Sequence, residues 1–331
     1  MIGARLVVFP DADSDLLDQL HDVEGRLAGV AELRVFAGRP ASIEEYRTRI
    51  AGASALLLGW ELPTNALDAA PGLEAISFLG TGVSNFLDPT ACARAGITVM
   101  NVPRYGDSAV AEHTLALILA ATRRIAEYDR RVRDGGWGVV GLCRELETTT
   151  LGILGLGGIG TRVAQLASRL GMPVVAWTRS GRGGDVRSGA RLAALDAVLS
   201  ESDVVSLHLP LVPDTVGIVS RARLANMKPG SILINTARAE LVDEDALIEA
   251  LERGPVAGAA LDVLWQEPPP AGHRLLQLPN VLITPHVAFA TREASERMVR
   301  TAVENLVDYF AGGPRHVVIE PAGATRPTVR R

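Results

Sequence analysis

The stretch Leu151–Gly160, LGILGLGGIG, constrains this chain more than any other. Apolar residues lead directly into Gly155, Gly157 and Gly160, and apolar positions at helical spacing continue through Leu170. The order is therefore strand, tight glycine turn, helix. The first glycine permits the sharp turn. The second lacks the Cβ that would keep a pyrophosphate off the backbone, and the third lets helix and strand pack closely. N–H groups at the helix start, together with its dipole, favour a bound anion. Glycine-rich turns also occur for purely steric reasons, but here the context on both sides puts dinucleotide binding first.

A chain of 331 residues is long enough for two domains. With 47% hydrophobic and 21% charged residues it has an ordinary globular composition. The formal net charge of −5 gives no broad basic field, so nucleic acid is not an expected partner. Cys92 and Cys143 have neither metal-ligand nor disulfide spacing and read as small buried residues, so no metal is expected. The start, MIGARLVVFPDADSD, has too short an apolar run for a signal peptide, and no run approaches the ~18 apolar residues of a membrane span. A soluble, cytoplasmic protein without membrane contact is expected.

Residues 1–100 alternate short apolar runs, at Arg5–Phe9, Leu33–Phe36, Ala55–Gly59, Leu73–Leu79 and Ile97–Met100, with helical patterns at Asp13–Leu27, Ile43–Ile50 and Pro89–Ala95. This alternation predicts a parallel sheet with helices on both faces. Gly80, Thr81 and Gly82 follow one of these strands. They are either a simple turn or a set of exposed N–H groups at the ligand-binding edge of the sheet. After the loop NVPRYGD, with Ser108 as a possible N-cap, one long helical pattern runs from Ala109 to Arg133. Six strands are expected beyond it: Leu151–Leu154, Val174–Thr178, Val204–Leu207, Ile232–Asn235, Val256–Asp262 and Val281–Thr284. A final helix is expected over Glu293–Phe310, then a mobile tail over 321–331.

These residues, taken together, resemble the D-isomer-specific 2-hydroxyacid dehydrogenases. The likeness rests on FLGTGVSNFLD, AGITVMNVPRYGDSAVAEHTLALILAATRRI, LGILGLGGIG, HLPLVPDT, MKPGSILINTARAELVDEDAL, GAALDVLWQEPP and LPNVLITPHVAF, in the family's order. The resemblance implies an α/β protein of two doubly wound parallel-sheet domains. One is a flavodoxin-like substrate domain, residues 1–100 plus 287–320, and the other a Rossmann dinucleotide-binding domain, residues 101–286. It further implies an active site in the cleft between them, a nicotinamide cofactor, a small 2-oxo or 2-hydroxy acid as substrate, and a homodimer.

Residue by residue, the resemblance makes Arg238 the clamp on the substrate carboxylate, His286 the acid/base and Glu267 its partner. The chemistry suits these types. A guanidinium grips a carboxylate with two hydrogen bonds, and an imidazole exchanges protons near neutral pH. The other histidines, including His113 and His208, read as structural. The backbone at Gly158 and Ile159 would meet the pyrophosphate. Thr236 and Ala237 would lie beside the nicotinamide, and Pro210 would line the ribose pocket. Asp262 would bind the carboxamide or, alternatively, make local hydrogen bonds at a strand end. Thr81, Gly82, Arg104 and Tyr105 are candidates near the substrate.

Two departures stand out. NAD-preferring members place an acid at the end of the second strand, whereas this chain has Thr178, Arg179 and Ser180. An arginine with two hydroxyls would attract a 2′-phosphate, so NADP(H) is expected over NAD(H). The alternative is that Arg179 stacks on adenine or faces solvent. Ser84 stands where many members carry aspartate, which weakens carry-over of any particular substrate. Two other readings share the fold: a phosphite- or formate-type dehydrogenase, and a cofactor-sensing, corepressor-like binding protein.

Overall fold

Alternating apolar runs at the start of the chain become parallel strands β1 (Leu6–Ala12), β2 (Glu32–Ala37), β3 (Ala55–Leu58), β4 (Ala75–Phe78) and β5 (Thr98–Met100). The structure, a computed structural model, describes residues 5–21, 23–179 and 189–323, so most of the expected tail lies outside the described residues. It divides into two units, one up to Tyr105 and again from Thr291, the other Gly106–Ala290. Both divisions fall a few residues later than the bounds that the resemblance implies. Val102 is still tied to the first sheet through its N–H to the Gly80 carbonyl, and residues after His286 are tied to Asp262.

In the first unit the sheet runs β5-β4-β3-β1-β2, a doubly wound order. β3 and β4 are buried at every position, as strands covered on both faces must be. The helix Arg292–Phe310 covers one face, placing Met298, Val299, Ala302, Val303 and Leu306 in a core with Val7, Phe9, Leu57 and Met100. It starts just ahead of the apolar pattern because the Thr291 side chain accepts the Ala294 N–H at 3.2 Å. The expected helix Asp13–Leu27 is instead α1 (Ser14–His21) followed by a 3₁₀ turn over Glu24–Leu27, where Gly25 weakens any continuous helix. α2 (Ile43–Ile50) and α3 (Pro89–Arg94) fall where expected. A strand that was not expected, Val317–Ile319, adds antiparallel to β5 and is too short to show a period.

The second unit opens with two helices rather than one. α4 (Asp107–Thr122) ends where Thr122 bonds back to the Ile118 carbonyl at 2.7 Å, and α5 (Ile125–Arg133) begins after Arg124 turns left-handed, with φ 54°. The start is Asp107, preceded by Gly106, so Ser108 is not the cap. Strands β6 (Leu151–Leu154), β7 (Val174–Trp177), β8 (Arg191–Leu192), β9 (Val204–Leu207), β10 (Ser231–Asn235), β11 (Val256–Leu261) and β12 (Val281–Ile283) form one parallel sheet ordered β12-β11-β10-β9-β6-β7-β8. That is seven strands among the described residues where six were expected. β8 is two exposed residues with no periodicity to betray it. α6 (Gly158–Arg169) follows β6 and packs with α4 over one face, through Val163, Ala164, Ala167, Leu117 and Ile118. The order reverses between β6 and β9, which puts a ligand crevice at the carboxyl ends of these strands.

Candidate active site

The glycine turn joins β6 to α6, and its glycines divide by exposure. Gly155 and Gly160 are buried, whereas Gly157 and Gly158 are exposed. Gly155 has φ 104°, and a Cβ there would press on the His208 carbonyl. A Cβ on Gly160 would overlap the Gly155 carbonyl oxygen. These two glycines are therefore needed for packing. Around Gly157 there is open space, and no side chain caps α6. An uncapped helix start beside open space fits a phosphate. Asp107 brings a carboxylate close to Gly158, in the volume a side chain there would fill. Ile159 is half-buried behind them.

Three adjacent strands, β10, β11 and β12, deliver the expected trio on the loops at their carboxyl ends. Arg238 follows β10, and its Nη1 donates to the Ala237 carbonyl at 2.7 Å. Asn235, buried at the end of β10, clips this loop from both sides. Its Oδ1 accepts the Ala237 N–H at 3.0 Å and its Nδ2 donates to the Arg238 carbonyl at 2.8 Å. Glu267 follows β11, and its Oε1 accepts the Leu264 N–H at 2.9 Å. Its Oε2 lies 2.7 Å from His286 Nδ1, with the two side chains 39% and 41% exposed. His286 follows β12 in a left-handed backbone conformation, φ 54°, with the Phe289 ring edge-on at 6.5 Å.

Asp262 organises the loop that carries His286. Its carboxylate, 1% exposed, accepts from Val287 N (3.0 Å), Ala288 N (2.9 Å) and the Thr284 hydroxyl (2.6 Å). The His286 N–H donates to the Asp262 carbonyl at 2.9 Å. These are local hydrogen bonds at a strand end, as the alternative reading of Asp262 has it. His113 Nε2, on α4, lies 3.0 Å from Thr284 Oγ1, and Thr114 Oγ1 lies 2.9 Å from Thr236 Oγ1. Asn235, His113 and Thr114 were not expected at the site. Only Asn235 gives a signal in sequence, as an Asx residue closing a strand before a turn.

Thr236 is buried and Ala237 half-buried at the end of β10. Pro210 is exposed, and its carbonyl accepts the Thr215 hydroxyl at 2.7 Å. Burial holds His208 neutral, its pKa pushed down to about 3, with Nε2 at 2.9 Å from Ser206 Oγ. Thr178 is half-buried just past β7 and Arg179 is exposed, while Ser180 lies outside the described residues. Cys92 is buried but Cys143 only partly so. Among the described residues no metal-ligand cluster occurs, and no helix is long and apolar enough to cross a membrane.

Thr81, Gly82, Arg104 and Tyr105 belong to the first unit and the trio to the second. The Thr81 hydroxyl donates to the Val102 carbonyl at 3.2 Å and the Asn101 amide to the Thr81 carbonyl at 3.0 Å, so Gly80–Gly82 is a braced turn at the carboxyl end of β4. Arg104 is exposed and left-handed, φ 63°, and the Tyr105 carbonyl accepts from Arg297 Nε at 2.9 Å.

Residues 115–288 match the family profile described as D-isomer specific 2-hydroxyacid dehydrogenase, NAD binding domain. The chain is 38% identical over 286 residues to a glycerate dehydrogenase of Methylorubrum extorquens, spanning 83% of this chain and 88% of that one. It is 38% identical over 314 residues to a glyoxylate reductase of Aeropyrum pernix, spanning 92% and 91%. Among solved structures, the TT0316 protein of Thermus thermophilus aligns with a TM-score of 0.82 at 39% identity, over 95% of this chain and 100% of that one.

Proposed function

Because the chain belongs to the D-isomer-specific 2-hydroxyacid dehydrogenases, we propose that Arg238, Glu267 and His286 carry that family's chemistry here. The chain is an oxidoreductase that interconverts a small 2-oxo acid and its D-2-hydroxy acid with a nicotinamide cofactor. The observation that carries the assignment of residues is the 2.7 Å contact between Glu267 and His286, delivered beside the Arg238 loop by three neighbouring strands.

Such a reaction moves a hydride to or from carbon and a proton to or from oxygen. The bound nicotinamide supplies or accepts the hydride. Glu267 can only accept when ionised, so His286 keeps a hydrogen on Nδ1 and exchanges the reacting proton at Nε2. In reduction His286 Nε2–H protonates the substrate oxygen, and the Glu267 carboxylate steadies the positive charge on the ring. Arg238 grips the substrate carboxylate through parallel N–H bonds and fixes which face of the carbonyl is presented. The Gly157–Ile159 backbone would hold the pyrophosphate, and Thr236 and Ala237 would border the nicotinamide.

NADP(H) is the cofactor this reading favours, because Arg179 stands where an acid would repel a 2′-phosphate. Glyoxylate and hydroxypyruvate are the first substrates to try, and a cytoplasmic location is part of the same reading. The decisive experiment follows the nicotinamide absorbance over a panel of 2-oxo acids with NADPH and with NADH. Turnover that disappears in His286→Ala is expected. Cofactor binding with no turnover on any acid would instead support the sensor, and a strong NADH preference would reject the reading of Arg179.

A homodimer is also part of the proposal. Trp137 and Leu142, 86% and 98% exposed, lie close in sequence to exposed Ile125, Val132 and Val139, an apolar concentration suited to a second copy. Light scattering on Trp137→Ser with Leu142→Ser should then report a monomer.

A further inference from the structure

Hydrogen counting along one polar chain assigns work to a histidine outside the trio. Thr284 Oγ1 lies 2.6 Å from Asp262 Oδ1 and 3.0 Å from His113 Nε2. A hydroxyl has one hydrogen, and a carboxylate can only accept, so Thr284 donates to Asp262. What Thr284 then offers His113 is a lone pair, so His113 must carry its hydrogen on Nε2 and donate. The same count applies one residue along α4. The Thr114 hydroxyl donates to the Val110 carbonyl at 2.7 Å, so the Thr236 hydroxyl is the donor to Thr114. Consecutive residues of α4 thus brace two site loops, one bearing His286 and one bearing Arg238.

We propose that His113 is a positioning residue for the reaction: its Nε2–H fixes Thr284, and through it Asp262, which in turn fixes the His286 loop. The link is direct. Both Asp262 oxygens hold the N–H groups of Val287 and Ala288, and the Asp262 carbonyl holds that of His286. The left-handed backbone of His286 is one that non-glycine residues adopt only when their surroundings impose it. Without the donor on α4, Thr284 can turn to other partners, and the Asp262 carboxylate loses its anchor to the helix. The His286 ring bonds to Glu267 rather than to α4, so the effect passes through the loop.

The inference rests on the dehydrogenase reading, and its test separates the two. Hydrogen exchange at Val287–Ala288 is measured on the whole unliganded protein for wild type, His113→Phe, His113→Gln and Thr284→Val. Glyoxylate reduction with NADPH is followed in parallel. Glutamine can place an amide N–H close to the Nε2 position. The expected result is exchange at Val287–Ala288 about ten-fold faster in His113→Phe, with kcat down roughly ten-fold and KM changed less than about two-fold. His113→Gln should recover most of both, and the double variant His113→Phe with Thr284→Val should be no worse than either single. Thr284→Val removes the hydroxyl route, leaving only the 3.6 Å approach of His113 Nε2 to Asp262 Oδ1, and carries the test if His113→Phe does not fold. Unchanged exchange, faster exchange with unchanged kcat, or a Gln variant as poor as Phe each overturns the proposal. Should wild type reduce no 2-oxo acid, the dehydrogenase reading fails, and the exchange measurement still decides the brace.

Discussion

Gly160 and Gly155 meet at the base of the glycine turn so closely that a Cβ on the first would overlap the carbonyl oxygen of the second. Gly160→Ala must therefore push α6 away from β6. Overpacking of this kind costs about 1–3 kcal/mol, and it moves the N–H groups at the helix start. NADPH affinity should fall by at least about ten-fold, roughly 1.4 kcal/mol, with a lower melting temperature. Gly157 faces open space, so Gly157→Ala should weaken NADPH binding while stability changes by no more than about 0.5 kcal/mol. Fluorescence titration and thermal unfolding check both. Lost stability with intact binding in Gly157→Ala would reject the division of labour among these glycines.

The Glu267–His286 pair predicts graded kinetic losses. His286→Ala removes the proton carrier and should lower kcat by about 10²–10⁴-fold. Glu267→Gln keeps a hydrogen-bonding partner but loses the charge, so its loss should be smaller. Both side chains are more than a third exposed, and pairs of this kind contribute at most about 1 kcal/mol to stability. Melting temperatures should scarcely move. Steady-state kinetics beside calorimetry tests this, and a Glu267→Gln enzyme as slow as His286→Ala would show that the carboxylate does more than steady the ring.

Those two predictions use residues that could be read from sequence, and the reason is physical. Strand, glycine turn and helix are local patterns, and the trio lies on strand-end loops, where an open α/β sheet must put its ligands. Legibility failed where contacts cross the chain. His113 reads as one more residue on an apolar helix. Its part depends on Thr284, far away in sequence, reaching α4 once the sheet has formed. Asp262 reads first as a cofactor ligand and second as a loop anchor, and its three donors come together only in the folded chain. The long helical pattern hides a break, because Thr122 and Arg124 end the first helix through a back-bond and a left-handed turn, neither of which disturbs an apolar period. β8 and the strand Val317–Ile319 are too short to carry a pattern at all.

Asp107 beside Gly158 puts a negative charge near the helix start that is assigned to the pyrophosphate. Like charges within a few ångströms oppose binding, and a helix-terminal charge effect is typically about 0.3–1 kcal/mol. Asp107→Asn should tighten NADPH binding several-fold. The gain should shrink with added salt. Titrations at low and high ionic strength check this. Unchanged or weaker binding in the asparagine variant would mean that the carboxylate is not felt by the bound anion.

Buried Asp11 and half-buried His208 give the stability of the chain opposing pH dependences. Asp11 accepts from Gly59 N at 3.1 Å and Trp60 N at 2.8 Å. Burial is the larger influence and pushes its pKa up from 3.8 to about 6, although those two bonds and Arg39 pull it down and Asp13 adds to the rise. Between these values the folded chain holds a proton that the unfolded chain has released. The contribution is therefore complete below about 3.8 and is lost as pH rises through about 6. His208 behaves oppositely. Burial lowers its pKa from 6.5 to about 3, so its contribution is complete above about 6.5 and is lost as pH falls toward about 3. Denaturant unfolding at pH 5 and pH 7 should separate them. Relative to wild type, Asp11→Asn should gain about 1 kcal/mol on going from pH 5 to pH 7, and His208→Asn about 2 kcal/mol on going from pH 7 to pH 5. If the two variants track wild type in parallel across this window, neither group titrates as its burial requires.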